Sequence, residues 1–151
     1  NLSERGREQA TAIHAALAKL GIRISRVLSS PFCRCLETGR LAFGEVEASE
    51  LLSVGDELSF AEKHDRGLAV RKVLATAPEP GTNVVLITHT GTLLYSFGLD
   101  TQPEGIAHVF RPGPAGTSVY LGALVPEDWP RYAAQLGGAV PAPGAPSAGK
   151  P

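Results

Sequence analysis

Val84-Val85-Leu86-Ile87-Thr88-His89-Thr90-Gly91 is an unbroken apolar run that delivers a histidine to a glycine turn. Pro80-Gly81-Thr82-Asn83 precedes it, and its β-branched residues read as a strand buried on both faces. Thr90-Gly91-Thr92-Leu93-Leu94 then opens a helix, with Thr90 as the expected N-cap and Gly98 as the stop. His89 is therefore expected at the carboxyl end of a parallel strand, where open α/β sheets bind their ligands. A histidine there can titrate, donate to an anion or attack an electrophile.

A second unit of the same shape lies upstream, Arg26-Val27-Leu28-Ser29-Ser30-Pro31-Phe32-Cys33-Arg34-Cys35-Leu36-Glu37-Thr38. Val27–Ser29 reads as a short strand. Ser30 is the expected N-cap, Pro31 the first helical position, and Gly44 the stop. Phe32, Leu36 and Phe43 are expected to keep one helix face apolar. Arg34 falls in the first turn, where a cation opposes the helix macrodipole by about 0.3–1 kcal/mol. Two compensations are open: an anion held between Arg34 and the free N–H groups of the turn, or a surface pair with Glu37 three residues on. Two strand–helix turns, one offering arginine and one histidine at the same sheet edge, favour the anion.

Around these units the pattern alternates. Ser3 caps a helix to Leu20 with Ala10, Ile13, Leu17 and Leu20 on one face and Gly21 as its stop. The stretch 45–58 reads as irregular, with room for a short strand. A helix is expected from Ser59 to Ala77, its buried stripe formed by Val70, Val73, Leu74 and Ala77. Ile106–Phe110 and Ser118–Val125 read as strands joined by a Pro/Gly-rich connection. The Pro/Gly/Ala-rich stretch 137–151 cannot bury a core and is expected as a flexible tail to a domain spanning 1–136. Alternating strands and helices imply a three-layer α/β/α sandwich with a mostly parallel sheet.

Three co-ordered segments carry a resemblance. Leu2-Ser3-Glu4-Arg5-Gly6-Arg7-Glu8-Gln9-Ala10 resembles the "LTxxGxxQA" helix start of the histidine phosphatase (phosphoglycerate-mutase-like) superfamily. Ser29 to Thr38 resembles its "SSPxxRxxxT" segment, and Val84 to His89 the strand carrying its second histidine. The resemblance implies hydrolysis of a phosphate monoester through a phosphohistidine, without metal or other cofactor, on a small phosphorylated substrate. It assigns Arg34 to the phosphoryl oxygens and His89 to the catalytic set. It also implies that the backbone at Thr90 faces the phosphate. Positioning and electrostatic stabilisation, rather than metal chemistry, are what such residues supply.

The family's Arg-His-Gly or Arg-His-Ala triplet does not occur here, and it is expected upstream of Leu2 on a first strand that this sequence lacks. With no methionine and an initial Asn1, the chain reads as part of a longer polypeptide. His14, His64 and His108 are each expected to be structural. For the general acid, Glu57 and Glu104 are the candidates, while Ser59-Phe60-Ala61-Glu62 reads as a capping box. A mutase fits less well, because mutases carry longer insertions. The alternative of another class is a non-catalytic phosphate-binding or interaction module derived from the same fold.

The 151 residues suffice for one domain with a core. A net charge of −1 without a basic cluster argues against nucleic acid or an anionic membrane as partner. No run approaches the ~20 apolar residues of a membrane span. Cys33 and Cys35, two apart on a helix, point to different sides, so neither a disulfide nor a metal pair is expected. Neither a Walker loop nor a Cys/His ligand set occurs.

Overall fold

A computed structural model of the chain describes residues 1–53, 55 and 58–137. Helix α1 (Glu4–Leu20) starts where the Ser3 hydroxyl accepts from the Gly6 N–H and stops at Gly21, whose φ of 66° suits a residue without a side chain. There follow β1 (Ile24–Ser29), α2 (Cys33–Phe43), β2 (Glu47–Ala48) and a 3₁₀ turn at Glu50–Leu52. Next come α3 (Phe60–Ala75), β3 (Asn83–Ile87), α4 (Thr90–Phe97), the strands β4 (Ala107–Pro112) and β5 (Ser118–Leu124), and α5 (Asp128–Leu136). The capping box of α3 forms as its sequence requires, Ser59 and Glu62 each satisfying the other's backbone N–H. That helix ends at Ala75 rather than Ala77, which is exposed beyond it. The stretch read as a tail lies outside the described residues from 138 onward.

β2, β1 and β3 form one parallel sheet in that spatial order, with Val27 opposite Val85, Leu28 opposite Leu86 and Ser29 opposite Ile87. Strand alternation sends successive residues to opposite faces, so Val27 and Leu28, both 5% exposed, feed different cores. On one face α2 packs so closely that a Cβ on Gly39 would sit 2.9 Å from Ile87 Cδ1 and 2.7 Å from Val46 Cγ2. α1 lies on α2 through Ala10, Ile13, Leu17 and Ala42, and Trp129 of α5 packs against the same cluster. On the other face Leu28 and Leu86 meet Leu52, Val70, Val73, Leu74 and Phe97. The expected layers, helices on both faces of a parallel sheet, are therefore present.

β4 and β5 form a separate antiparallel hairpin. It rests on α4 through Phe97 and Phe110, whose ring centroids are 4.7 Å apart. Among the described residues β3 is paired on one side only, by β1. Its outer edge faces a cleft of about 210 Å³ lined by Asn83, Val84 and Leu86 on one side and Phe110, Arg111 and Pro112 on the other. This corrects the expectation of a strand buried on both faces: Val84 to Ile87 are all only half-buried. The run is apolar enough for an interior strand, but burial also requires a neighbour on each side. Among the described residues no helix is long and apolar enough to cross a membrane.

Leu52 is fully buried at the centre of the second core, beside the segment that follows β2. Leu52→Ala should lower the unfolding free energy by about 2–5 kcal/mol. Urea denaturation would show it as a lower midpoint at an unchanged slope.

Candidate active site

The register of β1 against β3 brings two strand ends side by side. Ser30 follows β1, its N–H donating to Ile87 O at 2.8 Å, and His89 follows β3 two residues further on. The turn after β1 starts α2 and the turn after β3 starts α4, so both helix N-termini open at the carboxyl edge of the sheet. Neither has a side-chain cap, whereas α1 and α3 are capped by Ser3 and Ser59.

Both caps differ from expectation. α2 begins at Cys33 with Phe32 as N-cap, rather than at Pro31 with Ser30, and α4 has His89 rather than Thr90 as N-cap. The Ser30 hydroxyl is drawn off by His89, whose Nε2 lies 2.8 Å away, and keeps only a long 3.4 Å contact with the Phe32 N–H. The free N–H groups at each first turn are left for another acceptor.

Arg34 and His89 meet. A guanidinium can only donate, so Arg34 Nη2 donates to His89 Nδ1 at 2.9 Å, and the ring proton sits on Nε2, which donates to Ser30 Oγ. The imidazole is thus neutral, and burial, aided by the Arg34 charge, holds its pKa below the ordinary histidine value. Phe32 closes one side, its ring edge-on to His89 at 4.9 Å and 5.1 Å from the Arg34 guanidinium carbon. Cys35 Sγ lies 3.8 Å from His89 Nε2; burial pushes its thiol pKa up, so it is not an activated thiolate.

The competing explanation for Arg34 fails on geometry. Glu37 does not pair with it; Glu37 Oε1 accepts from Arg7 Nε at 2.7 Å, and Oε2 from the Leu2 N–H at 3.4 Å. The Arg7 hydrogen bond holds the Glu37 carboxyl below its usual pKa, so it is committed as an anion to α1. Among the described residues no carboxylate contacts Arg34.

Thr90 is the first residue of α4, exposed, its hydroxyl 2.8 Å from that of the nearly buried Thr101. Thr88, at the end of β3, donates to Leu52 O at 2.8 Å, tying the segment after β2 to the strand end. Arg66 Nη1 fixes the same segment by donating to Glu50 O at 2.8 Å and Ser53 O at 2.6 Å. The remaining histidines lie elsewhere: His14 on α1 against Ala42 O, His64 exposed on α3, His108 on β4 beside the Tyr120 hydroxyl. Glu104 is exposed between α4 and β4 and has no hydrogen-bond or ion-pair partner among the described residues, while Glu57 lies outside them. Glu62 is the capping residue its spacing predicts.

Ser30 and Phe32 entered the sequence reading only as helix residues, a cap and an apolar face. Phe32 is 38% exposed and belongs to neither core, and Ser30 is buried against His89. Strand register would have revealed both, and register is not written in either segment alone.

Residues 1–55 match the model of the histidine phosphatase superfamily (branch 1). Over those residues the chain is similar to that superfamily. The match covers the Leu2–Ala10 and Ser29–Thr38 segments, including Arg34, and ends before His89. No curated protein matches the chain. The match supports a phosphatase-like or mutase-like character at the level of the superfamily.

Two outcomes test the site's electrostatics. Histidine NMR titration should give His89 a pKa below 6.5 in the free protein. The unfolded chain then binds more protons than the folded one as pH falls below 6.5 towards the folded value, so this group's contribution to stability is lost across that window. Separately, Arg7→Ala should free Glu37 to pair with Arg34 and weaken phosphate binding by roughly twofold. Adding Glu37→Gln should restore it; equal affinities in all three proteins would mean that Arg34 does not depend on where Glu37 is held.

Proposed function

We propose that the protein acts as a phosphomonoesterase whose phosphoryl site is built by Arg34, His89 and the free N–H groups at the start of α2 and α4. The observation that carries this reading is Arg34 itself: a cation in the first turn of an uncapped helix, 2.9 Å from a second potential donor and unpaired with Glu37. An oxyanion inserted there offsets the Arg34 charge at the helix N-terminus and accepts charge-assisted hydrogen bonds. Its negative charge favours the imidazolium, so His89 takes up a proton on binding and becomes a second cationic donor.

In the proposed reaction a histidine nitrogen attacks phosphorus, the phosphorus–oxygen bond to the alcohol breaks, and the departing oxygen takes a proton from an acid. Water then attacks the phosphohistidine, releasing inorganic phosphate and the free imidazole. Arg34 and His89 hold the three non-bridging oxygens through both steps, and Thr90 contributes its backbone N–H. The attacking histidine is assigned to a segment upstream of Leu2, since His89 is engaged by Arg34 and Ser30. Glu57 and Glu104 stay as the candidates for the acid. The substrate is a small phosphate monoester.

Calorimetry with inorganic phosphate should detect binding that Arg34→Ala weakens about 10- to 100-fold, the loss of a charge-assisted contact. Binding should strengthen as pH falls through the His89 titration, and His89→Ala should abolish that pH dependence. Undiminished phosphate affinity in both variants would rule the site out. On the full-length polypeptide, acid-labile phosphate trapped on histidine marks the enzyme; phosphate binding without any trapped intermediate marks a non-catalytic module.

A further inference from the structure

Phe32 is the one large apolar side chain that touches both Arg34 and His89 among the described contacts. It occupies the N-cap of α2, a position where Ser, Thr, Asp or Asn is preferred by about 1 kcal/mol. It packs in neither core, and 38% of it stays exposed beside Arg34 and His89. An exposed aromatic ring beside a cationic, polar site is a local inconsistency of the kind that marks function.

The ring's placement fits the ligand. A phosphate monoester is an anion at one end and an organic group at the other, separated by one bridging oxygen. With the phosphoryl oxygens at Arg34 and His89, the organic group emerges within the radius of the side chains that surround them. Phe32, 4.9 Å from the His89 ring and 5.1 Å from the Arg34 guanidinium carbon, lies at that radius. The other flanks carry no large apolar side chain among these contacts: Ser30 and the small, buried Cys35 lie on the imidazole, and Thr101 meets Thr90 at the start of α4. We propose that Phe32 is the specificity-determining wall of the site, packing against the organic group and selecting monoesters of planar, apolar alcohols, aryl phosphates above all. This rests on the reading of Arg34 and His89 as the phosphoryl site.

Phe32 has a structural alternative, which is merely to hold Arg34 and His89 in place through its edge-on and cation–π contacts. The two roles part on the ligand. Non-hydrolysable phenylphosphonate and methylphosphonate carry the same anion and differ only in the group that would meet the ring. Calorimetry on the unaltered chain should show phenylphosphonate binding about three- to tenfold more tightly, the increment of an aromatic pair. Phe32→Ala should bring that ratio close to one, and Phe32→Leu, which keeps a smaller apolar side chain, should leave it in between.

A ratio of one in the unaltered chain overturns the proposal without touching the phosphoryl site, and needs no variant to fold. Phe32→Ala lowering both affinities equally, with the ratio kept, also overturns it and assigns the ring the orienting role. If neither phosphonate nor inorganic phosphate binds the unaltered chain, the phosphoryl site itself falls and the proposal with it.

Discussion

The parallel pairing of β1 with β3 is the constraint from which the site follows. Opposing Ser29 to Ile87 leaves Ser30 one residue and His89 two residues past adjacent strand ends. It also starts α2 and α4 at the same edge. The pairing is held from both faces, by α2 pressed against the sheet at Gly39 and by the Leu28–Leu52–Val70 cluster beneath α3. Shifting β3 by one residue would turn Leu86 and Ile87 to the wrong cores and carry His89 away from Ser30 and Arg34. Packing and chemistry thus depend on one register.

Charge around Arg34 is arranged by exclusion. The acid closest to it on α2, Glu37, is engaged by Arg7 on α1, so the helix–helix contact that completes one core also keeps a carboxylate from Arg34. His89 complements this, staying neutral while the site is free because a buried imidazolium beside a guanidinium is doubly penalised. The proposed site can therefore take up charge along with an anion instead of holding two uncompensated cations in advance.

Where local chemistry decides the backbone, the sequence was readable. Ser3 with Gly21, the Ser59–Glu62 box, and Gly44 and Gly98 mark helix ends within a residue or so of where they fall. The alternation of elements gave the layers, and the Arg34 and His89 motifs gave two residues that the fold brings together. The misreadings cluster at the site and at β3. Ser30 looked like a cap because a serine before a proline-led helix usually is one, but a histidine more than fifty residues away claims its hydroxyl. Phe32 looked like part of a helix face because the helix start was placed too early. Val84 to Ile87 looked buried because composition reports what a strand tolerates, not how many neighbours it has.

The open side of β3 has a consequence for behaviour in solution. Asn-Val-Val-Leu-Ile contains neither charge nor proline, so the backbone groups that have no strand partner among the described residues lack the gatekeepers that usually blunt an edge. Across the cleft, β4 does carry such residues in Arg111 and Pro112. Among the described residues the two edges are therefore unlike: β3 offers an unguarded template to an extended segment, and β4 a guarded rim. A segment paired along β3 would lie beside the sheet and leave Arg34 and His89, at the carboxyl end of that strand, uncovered.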